Sequence, residues 1–101
     1  MLITLFISMA FAGSSCPVGN LKACQTYLRT EHAKKDDVAF AEKYNQVCAE
    51  NKNFSCVKLT VRDDVNEVMK EQVKIRGAKA ALFAITPGEE TYIYILSPKE
   101  K

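Results

Sequence analysis

The chain has 101 residues, 48% of them hydrophobic, and its 14 basic and 12 acidic side chains give a net charge of +2. This length allows one hydrophobic core, so a single domain spanning residues 1–101 is expected and a second domain is excluded. The basic residues from Lys58 to Lys79 alternate with acidic ones, and this pattern argues against nucleic-acid binding.

The first 21 residues carry no charged side chain. Ile3–Ile7 is rich in β-branched and aromatic residues, which predicts a buried first strand. The segment from Met1 to Ala12 can also be interpreted as a cleaved signal peptide, although it lacks the Lys or Arg that usually precedes the apolar stretch. The buried strand and a cytoplasmic location are preferred, and export is the alternative. The segment is too short to span a membrane, so no stable membrane insertion is expected.

Two helices are predicted next. Pro17 can take the first position of a helix that continues to about Thr30. Asp36 and Asp37 are candidate N-caps of a second helix that ends near residues 51–53. The apolar stripes that support the two helices are Val18, Leu21, Cys24 and Leu28 in the first and Phe40, Ala41, Tyr44, Val47 and Cys48 in the second.

In the second half of the chain the sequence predicts a strand, then a helix, then two further strands. Residues 57–62 alternate apolar and polar side chains, which is typical of a strand at a sheet edge. A helix follows Asp64, where the acid-x-x-Glu pattern indicates a capping box, and it ends at Gly77. Ala81–Thr86 and Thr91–Leu96 flank a four-residue turn and predict a β-hairpin.

The predicted order is β-α-α-β-α-β-β. A right-handed crossover between the first two strands then gives a four-stranded mixed sheet with helices on both faces. In this order, and in four segments, the chain resembles the thioredoxin-like family, glutaredoxins in particular. The segments are Ile3–Phe6, Cys16–Gly19, Val73–Gly77 and the turn at Pro87–Glu89. The resemblance covers nearly the whole chain and implies a thioredoxin-like α/β fold.

The resemblance also implies a degenerate redox site. In this family the first cysteine of Cys-x-x-Cys attacks a disulfide and the second resolves the intermediate. Cys16 matches the first, Gly19 replaces the second, and the segment Ile75–Ala80 lacks the family's cis-proline. Cys16 is therefore the candidate nucleophile of a monothiol reaction with glutathione as the resolving thiol, and no other cofactor is expected. The candidate substrate-binding residues are Pro17, Gly19, Arg76 and Lys79.

The four cysteines form two Cys-x7-Cys pairs. On a continuous helix Cys16 and Cys24 would lie about 12 Å apart, beyond the roughly 7 Å that a disulfide allows, so no bridge between them is predicted. Cys48 and Cys56 flank a short loop and are candidates for a disulfide. The spacing resembles that of secreted Sel1-like repeat proteins over residues 16–59. Because metal-ligand pairs usually lie two to four residues apart, no metal site is expected.

Three functions remain open. The preferred one is a thioredoxin-fold protein without dithiol chemistry that serves as a protein-binding or regulatory module, through a strand edge or the Cys16 helix start. The others are a monothiol glutaredoxin-like oxidoreductase and an exported disulfide-bonded protein. We further expect His32 to be a solvated surface residue and Tyr92 and Tyr94 to share one face of the last strand. The sequence does not indicate an oligomeric state.

Overall fold

The computed structural model describes residues 16–99. The segment Met1–Ala12, with its predicted strand and its signal-peptide alternative, lies outside them. Within the described residues the chain forms three helices and three strands. In chain order these are α1 (Leu21–Ala33), α2 (Asp37–Glu50), β1 (Phe54–Val61), α3 (Val65–Arg76), β2 (Ala81–Ile85) and β3 (Thr91–Pro98).

The three strands form one antiparallel sheet in the order β1-β3-β2. β3 pairs along its whole length with β1, from Phe54 opposite Pro98 to Val61 opposite Thr91. On its other side it pairs with β2. Since β1 and β2 both run antiparallel to β3, they are parallel to each other. With α3 between them in the chain and β3 between them in the sheet, they form a split β-α-β unit.

The predicted four-stranded mixed sheet of a thioredoxin-like fold is therefore wrong. That prediction gave the central position to Ile3–Ile7, whereas β1 and β3 pair directly and leave no room for a strand between them. The physical reason is the run Ile93–Leu96, in which every residue is buried. A run that is apolar on both faces suits a strand covered on both sides, and β3 therefore takes the centre.

The helices lie on both faces of this sheet. On one face α1 and α2 bury their apolar stripes against all three strands. Here the ring centroids of Phe40 and Phe83 are 5.1 Å apart, and those of Tyr44 and Tyr94 are 4.6 Å apart. On the other face α3 covers Ile93 and Ile95, but no residue of α3 is itself buried. The main core thus lies between the sheet and the first two helices.

Local capping signals explain most helix ends. Asp36 and Asp64 are the N-caps of α2 and α3, as predicted, and Gly77 ends α3 with a φ of +82°. The side chain of Asp64 accepts a hydrogen bond from the N–H of Asn66 at 2.9 Å. The first helix differs from its prediction, because α1 begins at Leu21 and not at Pro17. Asn20 is its N-cap and accepts from the N–H of Ala23 at 3.0 Å.

Candidate functional site

Cys16 and Cys24 form a disulfide, with their Cα atoms 5.1 Å apart. The prediction that they do not bond is wrong, because it assumed a helix running from Pro17. The chain makes a turn before α1, in which the N–H of Asn20 donates to the carbonyl oxygen of Pro17 at 3.1 Å. Gly19 takes a φ of +85° in this turn, a conformation that favours glycine. The turn folds Cys16 back onto the first turn of α1.

Cys48 and Cys56 form the second disulfide, which joins the last turn of α2 to β1. Their Cα atoms are 6.3 Å apart, so the candidate pair named from the sequence is bridged in the structure. Asn51, in the loop between them, accepts from the N–H of Gly19 and donates to the carbonyl oxygen of Val47 at 2.8 Å. Asn51 therefore links the regions of the two disulfides at one end of the domain.

These bonds change the interpretation of Cys16. None of the cysteines in the described part of the chain is free, and Cys16 is part of the buried core. Thiol exchange requires a free thiolate, so Cys16 is not available as a nucleophile in this disulfide-bonded form. Pro17 and Gly19 belong to the turn before α1, and Cys16 beside them is held by its disulfide to Cys24.

The remaining two predicted binding residues, Arg76 and Lys79, line one cavity of about 790 Å³. One wall is the end of α3 with the following loop, residues 76–79, and the other is Ser55 with residues 97–99. We call this the basic cavity. Pro17 and Gly19 do not line it. Sequence reasoning missed Ser55, Ser97 and Lys99, which are far from Arg76 in the chain and reach the cavity through strand pairing.

Gln25 fixes the loop that forms one wall of the basic cavity. Its side-chain nitrogen donates to the carbonyl oxygens of Lys79 at 3.0 Å and Leu96 at 2.8 Å. Gln25 is buried on α1 beside Cys24 and Leu28. A polar residue within an otherwise apolar stripe is the sequence signal for such a buried hydrogen-bonded position, and this signal was missed.

Two polar side chains, one from α1 and one from α2, bind backbone groups at the end of the outer edge of β2. His32 Nε2 lies 3.1 Å from the carbonyl oxygen of Ala84, to which it donates in the matching tautomer. Asp37 accepts from the N–H of Thr86 at 2.8 Å. The His32 ring packs against both Phe40 and Phe83, with 5.5 Å between centroids in each pair. The prediction of a solvated His32 is therefore wrong, because the imidazole is half-buried and holds a strand edge.

Within the described residues, the outer edge of β1 is not paired with another strand. The Tyr44 hydroxyl lies 2.7 Å from the carbonyl oxygen of Ile95 and 3.2 Å from that of Val57. Since one hydroxyl reaches both oxygens, Val57 directs its backbone groups toward β3. Backbone groups alternate along a strand, so those of Cys56, Lys58 and Thr60 point away from β3. No strand among residues 16–99 pairs with them, and we call these outward groups the β1 edge.

The side chains of β1 alternate in character. Val57 and Leu59 are half-buried on the α3 face, because α3 packs closest to β2. Lys58 is exposed on the other face, with its ammonium 5.0 Å from the Tyr92 ring centroid. Tyr92 and Tyr94 share this face, as predicted. Burial raises the pKa of the Tyr44 hydroxyl, which therefore stays protonated as a donor.

Two further kinds of site are not found in the described residues. Across residues 16–99 no three His, Cys, Asp or Glu side chains come together in a way that would hold a metal ion. None of α1, α2 and α3 has the length and apolar character needed to cross a membrane.

Comparison with protein-family models, with curated proteins and with solved structures finds no match to this chain. The resemblance to the thioredoxin-like family therefore rests on the sequence segments alone. Function has to be argued from the two disulfides, the two strand edges and the basic cavity.

Proposed function

We propose that this chain is a disulfide-stabilised binding domain of an oxidising compartment, and that it binds an extended segment of a partner protein along the β1 edge. The observation that carries the proposal is the contrast between the two edges of the sheet. His32 and Asp37 bind the carbonyl oxygen of Ala84 in β2 and the N–H of Thr86 just after it. The outward backbone groups of Cys56, Lys58 and Thr60 have no strand beside them within the described structure.

The two disulfides support the location. Each closes a short loop of the chain, with a sequence separation of 8, and in the loop-entropy account contributes about 2.5 kcal/mol to stability. Structural disulfides persist in secreted and other oxidising environments and are rare in the cytosol. Export, the alternative in the sequence analysis, is therefore proposed in place of a cytoplasmic location. A signal peptide at Met1–Ala12 would supply the route.

The β1 edge supports the mode of binding. An extended peptide can add to an exposed edge, where main-chain hydrogen bonds supply affinity and alternate side chains supply specificity. On the α3 face Val57 and Leu59 offer partly exposed apolar surface to the partner. On the other face Lys58 offers a cation. The expected partner segment thus alternates apolar residues with polar or acidic ones.

A second copy of the chain is a poorer occupant of the β1 edge. Lys58 lies near the middle of β1 and is exposed. Charged residues on an edge strand, lysine above all, discourage edge-to-edge pairing of identical strands, and like charges directly opposite are destabilising. The edge therefore favours a different protein whose side chains complement Lys58.

The proposal is tested with a displayed library of random peptides of about ten residues, long enough to span β1. Thr60→Pro removes an outward N–H, which an edge strand tolerates. Ala84→Pro is the matched control, because it removes an outward N–H from β2. Peptides selected on the unmodified domain should lose binding to Thr60→Pro and keep it with Ala84→Pro.

Equal binding of the selected peptides to both variants would contradict the proposal. Circular dichroism and intact mass establish that each variant is folded with both disulfides. A dimer of the unmodified domain in light scattering that becomes a monomer in Thr60→Pro would also overturn it. That result would assign the β1 edge to a second copy.

A further inference from the structure

We propose that the basic cavity binds the phosphate monoester group of a small molecule. The cavity is lined by Ser55, Arg76–Lys79 and Ser97–Lys99. This site is distinct from the outward backbone groups of the β1 edge. The inference stands whether or not the β1 edge binds a partner protein.

Basic residues from separate segments line the cavity. Arg76 ends α3 and Lys79 lies in the loop before β2, while Lys99 follows β3 and its ammonium donates to the carbonyl oxygen of Lys52 at 3.1 Å. Among the described residues no Asp or Glu lines the cavity. The salt bridges between residues 16–99 use other cations, namely Lys34, Lys43 and Arg62. In a chain with 14 basic and 12 acidic residues, this concentration of positive charge is local.

The end of a helix accounts for part of this charge. The C-terminus of α3 carries a partial negative charge that favours Arg76 in the last turn. Lys79 and Lys99, however, lie outside the helix and come from different directions in the fold. The helix dipole therefore accounts for Arg76 but not for the basic residues of the other two segments, whereas an anionic ligand would account for all of them.

The guanidinium of Arg76 is held in place. Its Nε donates to the side-chain oxygen of Gln72 at 2.8 Å. This bond uses only Nε. The two terminal nitrogens of the guanidinium can therefore still form paired hydrogen bonds to an oxyanion. The side chain is half-buried, so less conformational entropy is lost when a ligand binds.

The loop wall of the cavity is fixed as well. Gly77 adopts a φ of +82°, and its N–H donates to the carbonyl oxygen of Val73 at 2.8 Å. At the other end of the loop Gln25 binds the carbonyl oxygen of Lys79 and fastens it to β3. The position of Lys79 relative to the sheet is therefore set before a ligand arrives.

Two serines supply neutral donors. Ser55 and Ser97 are directly opposite each other in the β1–β3 pairing. By alternation along the strands, their side chains lie on the α3 face together with Val57 and Ile95. Both line the cavity, so their hydroxyls can add neutral donors to its basic residues.

The number of donors favours a phosphate monoester over a carboxylate. A phosphate monoester has three terminal oxygens and a charge of about −1.5 to −2, whereas a carboxylate has two oxygens and one charge. The arginine alone can satisfy a carboxylate. The cavity, at about 790 Å³, has the size of small-molecule sites and leaves room for the organic group. An adjoining cavity of about 250 Å³ shares Ala78 and Lys79 and adds Lys22.

The test is an NMR titration of the disulfide-bonded domain with phenyl phosphate and inorganic phosphate, using benzoate and acetate as the matched carboxylates. We expect phenyl phosphate to shift the amide signals of residues 76–79 and 97–99. We also expect it to bind at least about tenfold more tightly than benzoate. Arg76→Gln and Lys79→Gln should each weaken its binding about tenfold or more.

Lys74→Gln is the control, because it removes the same charge from α3 outside the cavity. It should change the affinity by less than about twofold, since a surface charge outside the site contributes little. An equal loss in Lys74→Gln and Arg76→Gln would overturn the proposal, since it would indicate diffuse attraction. Equal affinity for benzoate and phenyl phosphate would overturn the ligand class. Arg76→Lys separates fork geometry from charge and should bind more weakly than the unmodified domain.

Discussion

The two edges of the sheet are built differently, although both belong to parallel strands that flank β3. At β2, the helices that cover the core also send polar side chains to the edge, so that His32 reaches Ala84 and Asp37 reaches Thr86. At β1, no strand among residues 16–99 pairs with the outward groups. Natural proteins commonly protect their strand edges, and this difference between the two edges is the basis of the proposal that the β1 edge binds a partner.

The Cys48–Cys56 disulfide joins β1, the strand that carries the β1 edge, covalently to α2. Replacing both cysteines by alanine should lower the free energy of unfolding by about 2 to 4 kcal/mol, because the unfolded chain gains freedom. Urea unfolding followed by circular dichroism measures this loss. The amides of β1 should also exchange faster than those of β2. A uniform increase in both strands would contradict the special dependence of β1 on this bridge.

The hydroxyl of Tyr44 is within hydrogen-bond distance of both β1 and the central strand β3. Tyr44→Phe removes the donor to Ile95 and Val57 and should cost about 1 to 2 kcal/mol. Burial raises the pKa of this hydroxyl, so above about pH 10 the unfolded chain releases a proton that the native state keeps. Stability should therefore fall as the pH rises above 10, and less steeply in Tyr44→Phe. Identical slopes in urea titrations of the two proteins would contradict this role.

His32 makes the corresponding side-chain contact at the outer edge of β2. His32→Leu keeps apolar volume beside Phe40 and Phe83 but leaves the carbonyl oxygen of Ala84 without its donor. We expect a loss of about 1 kcal/mol, the smallest of the three effects. Lys35→Leu, at an exposed position next to α1, serves as the control and should be close to neutral. An unfolding curve for His32→Leu that matches the control would show that the β2 edge does not need this cover.

The locally encoded parts of the fold follow from the sequence. α2, α3 and the hairpin of β2 and β3 agree with their predicted positions, because Asp36, Asp64 and Gly77 give signals within one or two turns of the helix ends they define. The start of α1 does not, since Asn20 and Pro17 are both acceptable helix starts and the turn that the structure forms before Asn20 includes a distant contact, from Gly19 to Asn51. That choice also determines whether Cys16 reaches Cys24.

The parts that depend on distant residues do not follow from local patterns. The central place of β3 rests on the four buried residues from Ile93 to Leu96, a signal that competes with the similar apolar run at the start of the chain. The basic cavity joins Ser55, Arg76 and Lys99 through strand pairing. Of this site, sequence reasoning selects Arg76 and Lys79, but as partners of Pro17 and Gly19, which lie elsewhere.

The most direct test of the open edge is amide hydrogen exchange of the free domain, resolved by residue with NMR. We predict that Lys58 and Thr60 exchange rapidly, while Val57 and Leu59, whose N–H groups face β3, are protected. On the opposite edge, Thr86 should be protected by its bond to Asp37. Slow exchange at both Lys58 and Thr60 in a monomeric sample would show that the β1 edge is already covered, and would contradict the proposed binding surface.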